Sequence, residues 1–248
     1  MADPIFALDS VSVQFGQFAA LSEIDLTVFP GERVALVGSS GAGKSTLIRV
    51  LNGTQRPTSG AVWVFGRNLI RTRQLRQIQR QIGTIYQQFN LVDNLRVVHN
   101  VNAGHLGRWS FFRALMSLIV PLEVETATKA LAQVGIAEKL YDRTDRLSGG
   151  QQQRVAIARV LVQNPRVVLA DEPISSLDPE LSREIMTLLS DLSLQANRAL
   201  VISLHDVAIA QRFCDRLIGL RQGRIVFDAP TESITSVMID ALYQLEAR

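Results

Sequence analysis

Apolar positions along the chain divide it into a β-rich start, a helical middle and a mixed α/β end. Residues 5–15 and 24–29 alternate or run apolar, which predicts strands, and a Pro-Gly pair at 30–31 predicts the turn that follows. The apolar run 33–37 ends in a glycine-rich loop, after which a helix is predicted to begin near Leu47. From about residue 89 to 160 apolar residues recur at helical spacing, which predicts a mostly helical insert.

The last third of the chain returns to alternating element types. Strands are predicted at 167–170 and 199–203, and helices at 181–194 and 206–214. A closing hairpin is predicted around Gln222-Gly223. Because strands that alternate with helices usually form parallel pairs, the pattern indicates an α/β fold with a largely parallel sheet.

Composition narrows the class of protein only a little further. With 248 residues, 47% of them hydrophobic and 20% charged, the chain is expected to be globular with a substantial core. The apolar stretch 111–122 is shorter than a membrane span and carries Arg113 and Pro121, so we predict a buried or interfacial helix there. The single cysteine excludes an internal disulfide, and a net charge of +3 is compatible with anionic partners.

The glycine-rich loop after the strand 33–37 carries the first candidate chemistry. It reads Gly38, Ser39, Ser40, Gly41, Ala42, Gly43, Lys44 and Ser45, followed by Thr46, and fits G-x-x-x-x-G-K-[ST]. Glycines let successive N–H groups point at phosphate oxygens, and the next helix adds its positive end. Lys44 would reach the β- and γ-phosphates of ATP, and the Ser45 hydroxyl would bind Mg²⁺. The preceding strand and following helix favour this interpretation over a surface turn.

Two carboxylates follow the buried strand 167–170. In an open α/β sheet this position lies at the ligand-binding edge, so Asp171 would hold Mg²⁺ through water. Glu172 is placed one residue further on, where it could polarise an attacking water. The alternative is an Asp-Glu pair that is merely solvated, and the presence of the phosphate loop makes this alternative the weaker of the two.

The segment Leu-Ser-Gly-Gly-Gln-Gln-Gln-Arg at 147–154 resembles the signature of ABC-transporter ATPases. Other family elements follow the family's order: Ile-Tyr-Gln at 85–87 resembles the Q-loop, and Ser-Ser-Leu-Asp at 175–178 resembles the D-loop. His205 lies after a strand, as the family's switch histidine does, and Phe15, beside a glycine, stands where the family stacks an aromatic ring on adenine.

The resemblance implies a fold and its division. It implies a single ABC ATPase domain over 1–248, with a RecA-like P-loop NTPase core that carries an N-terminal antiparallel β-subdomain. That core would comprise 1–88 and 161–248, and the helical, signature-bearing subdomain would comprise 89–160.

The same resemblance implies roles that the residues alone leave open. Gln87 would contact Mg²⁺ and the attacking water, although alone it reads as an ordinary polar residue at a strand end. His205 would contact the γ-phosphate and orient Glu172, although a lone histidine is more often structural. Taken alone, Phe15 would be interpreted as a core residue, but its position in the family favours a contact with adenine.

The signature implies a homodimer. One chain supplies one phosphate loop and one signature, so in the family two chains close head-to-tail around ATP. The signature residues that would cover the partner's γ-phosphate are Ser148, Gly149, Gly150 and Gln151, and the D-loop's Asp178 is also implied to bind nucleotide. Taken alone, Ser148 and the two glycines would read equally well as a turn and helix N-cap.

A single cassette without long extensions resembles the separate ATPase subunit of a bacterial importer. That resemblance implies two transmembrane permease subunits, whose coupling helices would dock near 89–94, and indirectly a periplasmic substrate-binding protein. It implies a peripheral position on the cytoplasmic face of the inner membrane and no nucleic-acid partner. The alternative from a different functional class is an ATP-dependent regulator or assembly factor that takes no part in transport.

Local resemblance also suggests the transported substrate. The segments 87–92, 102–108, 109–118, 170–179 and 203–207 are similar to phosphonate-importer ATPases, a group that includes importers of phosphite and related phosphorus oxyanions. Asp206 departs from the glutamine common in that group. ATPases of polar amino-acid importers share 87–91 but generally lack the inserted stretch 106–121, and they are the alternative.

Arginines follow the turn at Gly66. Arg71, Arg73, Arg76 and Arg80 lie close together, and the last three are spaced to share one helix face. The sequence favours a solvated face over a contact with lipid head groups.

Overall fold

The computed structural model describes residues 3–70, 72, 74–175 and 177–243, excluding the side chain of residue 118. Arg71 and Arg73 therefore lie outside the described residues. An antiparallel sheet of four strands begins the fold, with the spatial order β2-β1-β4-β5. Its strands are β1 (Phe6–Phe15), β2 (Phe18–Val28), β4 (Ser59–Val64) and β5 (Arg67–Asn68). Alternate residues of β1 are buried, as the sequence pattern predicts for a sheet with one packed face.

The second sheet has six strands in the order β10-β9-β3-β8-β7-β6. All neighbours pair in parallel except β9 and β10, which form the predicted closing hairpin. Its strands are β3 (Arg33–Val37), β6 (Ile82–Ile85), β7 (Val167–Asp171), β8 (Ala199–Leu204), β9 (Arg216–Arg221) and β10 (Arg224–Pro230). Every residue of β7 and β8 is buried, because helices or strands cover both faces of the sheet.

Two hydrophobic cores lie on opposite faces of this parallel sheet. Val34 and Leu36 of β3 belong to one core, and Ala35 and Val37 belong to the other. Strands β7 and β8 alternate between the same two cores, because successive side chains of a strand point to opposite faces. One core contains the antiparallel sheet, and the other contains the helices of the middle of the chain. The predicted α/β fold with a largely parallel sheet is confirmed.

The helices occupy the predicted regions, with small differences at their ends. They are α1 (Lys44–Leu51), α2 (Leu75–Gln79), α3 (Val97–Asn102), α4 (Phe111–Ile119), α5 (Val124–Gln133), α6 (Gly149–Gln163), α7 (Pro179–Gln195), α8 (Val207–Phe213) and α9 (Ser236–Tyr243). Helix α9 was not predicted from the sequence. The predicted subdomain boundary at residues 160 and 161 lies inside α6, which continues to Gln163.

Cys214 follows α8, is buried in the core that contains the middle helices, and is the only cysteine of the sequence. Burial raises the pKa of its thiol to about 12. Within the described residues, no helix combines the length and the apolar character that crossing a bilayer requires.

Candidate nucleotide site

The loop between β3 and α1 requires glycine at two positions. Gly38 has a φ of 152°, and a Cβ on it would lie 2.2 Å from the carbonyl oxygen of Leu220. Gly43 has a φ of 106°, and a Cβ on it would lie 2.7 Å from the carbonyl oxygen of Ala20. Because L side chains rarely adopt such backbone angles, both positions demand the absence of a side chain. Without these side chains the loop packs closely against β9 and the β1–β2 hairpin.

Backbone N–H groups at the start of α1 are available to a ligand. Gly43 is the N-cap and supplies no side-chain cap. Among the described residues, no hydrogen bond occupies the N–H groups of Lys44, Ser45 or Thr46. Helix N-termini of this kind bind anions, since their N–H groups and the helix dipole both favour negative charge. The N–H groups of Lys44, Ser45 and Thr46 are therefore free to contact a phosphate, as the motif predicts.

Lys44 lies inside the loop, with only 4% of its surface exposed. Its Nζ donates to the carbonyl oxygens of Gly38, at 2.8 Å, and Ser39, at 2.9 Å. Burial lowers the pKa of the ammonium group, and the nearby carboxylates Glu172 and Asp171 oppose that shift. The cation is thus held next to the free N–H groups, where it adds to the positive potential of the loop.

A hydrogen-bonded network joins α1 to the ends of β7 and β8. Ser45 Oγ and Ser203 Oγ both donate to Asp171 Oδ1, at 2.9 and 2.8 Å. The backbone N–H of Glu172 donates to Ser203 Oγ at 2.8 Å. Asp171 and Ser203 are direct partners in the parallel register of β7 and β8, which explains the contact. Ser203 was not among the predicted site residues, because its only signal in the sequence is a hydroxyl at the end of an apolar strand.

The side chains of Glu172 and His205 meet at the edge of this network. His205 Nε2 lies 2.7 Å from Glu172 Oε1, and His205 Nδ1 lies 3.5 Å from Lys44 Nζ. Because an ammonium group only donates, the arrangement favours a neutral imidazole that accepts at Nδ1 and donates from Nε2 to the carboxylate. The unpredicted helix α9 also reaches this point, since Tyr243 Oη donates to the carbonyl oxygen of His205 at 2.9 Å.

Ser45 and Asp171 present the oxygen donors that Mg²⁺ prefers. Within the described residues, no group of three or more His, Cys, Asp or Glu side chains could hold a metal by itself. This fits Mg²⁺, which commonly uses one carboxylate together with substrate phosphates and water. Gln87, the third predicted ligand, is exposed two residues after β6. No hydrogen bond joins it to Ser45 or Asp171 in the part of the chain that the structure describes.

The predicted adenine contact lies on the β1–β2 hairpin. Phe15 ends β1 and is 50% exposed, so it is not the core residue that its type alone suggested. It pairs in register with Phe18, which is also exposed and which the sequence analysis did not identify. The hairpin adjoins the phosphate loop, because a Cβ on Gly43 would clash with the carbonyl oxygen of Ala20 in β2. Two aromatic rings are therefore displayed near the loop.

The signature segment lies at the N-terminus of α6. Ser148 Oγ accepts from the N–H of Gln151 at 3.3 Å, and Gln151 Oε1 accepts from the N–H of Ser148 at 3.1 Å, a capping box. Ser148 and Gly149 are exposed, whereas Gly150 is buried beside Leu181. Among the described residues no hydrogen bond joins this segment to the phosphate loop of the same chain.

Asp178 performs a similar capping role at the start of α7. Its Oδ1 accepts from the N–H groups of Glu180, at 3.0 Å, and Leu181, at 2.9 Å. Ser176, two residues before Asp178 in the D-loop, lies outside the described residues. Since Leu181 also packs on Gly150, Asp178 and the signature are connected through α7.

The parallel sheet and the loop that begins α1 define a P-loop nucleoside triphosphatase. A model of the ABC transporter family matches residues 21–175, and the chain belongs to this family. It is 47% identical over 234 residues to the phosphonates import ATP-binding protein PhnC of Cupriavidus pinatubonensis, covering 92% of this chain and 83% of that protein. It is 44% identical over 241 residues to PhnC of Thiobacillus denitrificans, covering 97% and 93%.

Solved structures show the same fold. A dimeric, post-hydrolysis form of the ATP-binding cassette MJ0796, bound to ADP and Pi, superposes with a TM-score of 0.80 at 30% identity. The match covers 92% of this chain and all of that one. The predicted ABC ATPase fold is thereby confirmed.

Proposed function

We propose that this chain is the ATP-hydrolysing subunit of a bacterial importer of phosphonate or a related phosphorus oxyanion. The observation that carries the ATPase assignment is the 2.7 Å contact between Glu172 Oε1 and His205 Nε2 beside the buried Lys44. The substrate class is supported by relatives that are called phosphonates import ATP-binding proteins and are 44% and 47% identical to the chain.

The phosphate loop binds the triphosphate in this proposal. The loop from Gly38 to Thr46 surrounds the phosphates, and the free N–H groups of Lys44, Ser45 and Thr46 and the Lys44 ammonium group contact phosphate oxygens. Ser45 and Asp171 would hold Mg²⁺, with Gln87 as the third ligand that the resemblance implies. When bound, this ion neutralises charge on the β- and γ-phosphate oxygens. Phe15, with Phe18, provides a stacking surface for adenine.

Glu172 acts on the attacking water. Its carboxylate accepts a proton as the water oxygen forms a bond to the γ-phosphorus, and the bond to the bridging oxygen breaks so that ADP leaves with the electron pair. His205 holds the carboxylate through Nε2–H. Ser203 fixes the backbone of Glu172 and the carboxylate of Asp171, which keeps the general base and the ion-binding group in a constant relation.

The second half of the site comes from another copy of the chain. In a head-to-tail homodimer, the α6 N-terminus, formed by Ser148, Gly149, Gly150 and Gln151, faces the γ-phosphate on the partner, and Asp178 lies in the adjoining D-loop. The dimer associates with two permease subunits and, through them, a periplasmic substrate-binding protein, on the cytoplasmic face of the inner membrane. Residues 1–88 and 161–248 form the core and 89–160 the helical subdomain.

Replacing Glu172 with Gln tests the ATPase assignment. We expect ATP binding to persist, turnover to fall by at least about a hundredfold, and the ATP-bound dimer to accumulate, because the amide cannot accept the proton. Glu125→Gln is the matched control, since Glu125 is an exposed residue paired with Lys129 on α5. The measurements are phosphate release and size-exclusion chromatography with ATP. Normal phosphate release by the Glu172 variant would exclude its role as the base.

Uptake by whole cells tests the substrate class. Cells that carry the chain and its transporter should take up phosphonate or phosphite, and Lys44→Ala should abolish that uptake while leaving the chain expressed. Uptake of polar amino acids instead would favour the alternative importer class. Unchanged uptake of every solute after the Lys44 substitution would support a role outside transport.

A further inference from the structure

Helix α4 turns its apolar side away from the protein. Phe111, Phe112 and Ile119 are each 77% exposed, and Leu115 and Met116 are about half exposed. At 100° per residue these five positions share one side of the helix. The sequence predicts a buried or an interfacial helix here, and the exposure of these side chains excludes the buried one. Monomeric proteins rarely expose a contiguous surface of this kind unless it binds a partner or a membrane.

The opposite side of α4 is held to the fold by polar contacts. The N–H at His99 Nδ1 donates to the carbonyl oxygen of Ser117 at 2.9 Å. Arg113 forms an ion pair with Glu123, and Ser110 caps the first turn. The chain immediately after the helix is held by Asn102, which donates to the carbonyl oxygen of Leu122. These contacts fix the orientation of the helix, so the fold itself holds the apolar side toward solvent.

A cleft with three arginines lies beside the start of α4. We call it the arginine cleft; it measures about 480 Å³, and its lining includes Arg76, Arg80, Arg108 and Trp109. No carboxylate lines it, and no ion pair engages these arginines within the described residues. Trp109 joins the cleft to α4, because it stacks on His105 and lies under the guanidinium of Arg113.

An apolar helix side next to a cluster of arginines matches the chemistry of an anionic lipid surface. Amphipathic helices lie in the plane of a membrane with Phe, Leu and Trp among the acyl chains and Arg near the head groups. A permease loop is the competing partner. Cytoplasmic loops of membrane proteins carry an excess of Lys and Arg, which would repel this cleft, whereas the anionic lipids of that leaflet attract it.

We propose that α4 and the arginine cleft bind the bilayer directly. The apolar side of α4 lies among the upper acyl chains, and Arg76, Arg80 and Arg108 contact phosphate groups of anionic lipids. The proposed function supplies only the membrane location on which this inference rests. Lipid contact then adds a second attachment to the one that a permease provides, and it orients the subunit relative to the bilayer plane.

Vesicle binding by the purified full-length chain tests this inference without a permease or ATP. We expect the chain to sediment with vesicles that contain phosphatidylglycerol and to bind phosphatidylcholine vesicles much more weakly. Added salt should weaken the binding, since the arginine contacts are screened. In a Trp63→Phe background Trp109 is the remaining tryptophan, and its emission should shift to shorter wavelength with anionic vesicles.

Two sets of substitutions separate the apolar and the charged contributions. The combination Phe112→Ser with Ile119→Ser should weaken vesicle binding by about tenfold or more, because it removes exposed apolar contacts. Arg76→Gln with Arg80→Gln should weaken binding to anionic vesicles by about thirtyfold. The matched controls are Leu194→Ser with Val237→Ser, exposed apolar residues outside α4, and Arg56→Gln with Arg166→Gln, exposed arginines outside the cleft.

The possible outcomes distinguish this inference from the proposed function. Equal binding of the wild type to anionic and neutral vesicles, or no effect of either substitution set, would overturn it. If the α4 variant binds vesicles normally but no longer co-purifies with a permease in detergent, α4 is a protein-docking helix and the lipid proposal is wrong. ATP hydrolysis by the same variants is expected to be unchanged, so a failure of the ATPase assignment would be seen separately.

Discussion

The N-termini of α1 and α6 are both candidate phosphate-binding positions, but they are built differently. At α1 the N-cap is a glycine with a positive φ, and the N–H groups of the first turn have no partner among the described residues. At α6 the side chain of Ser148 accepts from the N–H of Gln151 and the side chain of Gln151 accepts from the N–H of Ser148, whereas the N–H groups of Gly149 and Gly150 have no partner among the described residues. Lys44, Asp171 and Ser203 surround the first terminus, whereas at the second the side chain of Gln152 donates to the carbonyl oxygen of Thr144.

Because of this difference, folding and ligand binding depend on the same contacts at the start of α1 but on different ones at the start of α6. The start of α1 depends on its surroundings, because its geometry is imposed by contacts with β9, the β1–β2 hairpin and the ends of β7 and β8. The start of α6 carries its own side-chain cap, so the proposed contact with a second triphosphate is additional to its structural role. Substitutions at the first terminus should therefore affect both stability and binding, and those at the second can be chosen to affect either one alone.

The largest expected effect is that of Gly43→Ala. The new Cβ would lie 2.7 Å from the carbonyl oxygen of Ala20 at a φ of 106°, so the free energy of unfolding should fall by about 2–4 kcal/mol and ATP binding should be lost. Gly149→Ala is the control, since a Cβ there would meet no described atom within 4 Å apart from its chain neighbours and the backbone of its own helix. Urea unfolding and nucleotide titration measure both quantities. Equal effects of the two substitutions would contradict the comparison.

Ser203→Ala should have the next largest effect. Loss of the hydroxyl leaves the N–H of Glu172 without its acceptor and removes one donor to Asp171, so stability should decrease by about 1–3 kcal/mol. Turnover should fall with it, whereas ATP affinity should change little because Ser203 does not belong to the phosphate loop. Single-turnover hydrolysis and urea unfolding are the measurements. Ser203→Thr keeps a hydroxyl and should retain part of the turnover, and full activity of the Ala variant would show that the network is not needed.

The smallest effects on the isolated chain are expected at Ser148. Ser148→Ala should lower stability by about 1 kcal/mol through loss of the cap. Ser148→Asp should leave stability nearly unchanged, because Asp caps as well as Ser and its charge favours a helix N-terminus. The same charge would repel a partner's γ-phosphate, so ATP-driven dimerisation should be lost in the Asp variant. Light scattering with ATP, in a Glu172→Gln background, would detect a surviving dimer and thereby contradict the proposed trans contact.

Local patterns were sufficient to predict the elements that carry the site. The strand before Gly38, the helix after it and the buried strand before Asp171 have distinct periodicities, and the motif spacing identifies their chemistry. The edge of the parallel sheet then follows from general rules of α/β folds. For this reason the amino-acid sequence was enough to predict that Lys44, Ser45, Asp171 and Glu172 lie close to one another.

Contacts that depend on strand register were not predictable in the same way. Ser203 meets Asp171 only because β8 pairs with β7 in one register, and a hydroxyl at a strand end gives no such indication in a sequence. The contact of Tyr243 with the carbonyl of His205 depends on how α9 returns to the sheet. Gln87 illustrates the opposite case, since its role was predicted from resemblance but the structure leaves it without a hydrogen bond to the site in the described residues.

The buried position of Cys214 has a practical consequence for labelling experiments. The thiol is shielded in the core, and burial raises its pKa to about 12, so at neutral pH it should be almost entirely unreactive toward maleimides. The natural chain can then serve directly as the background for single introduced cysteines. Probes on the outer side of α4 or at the start of α6 would report distances to a vesicle or to a second subunit without first removing the native thiol.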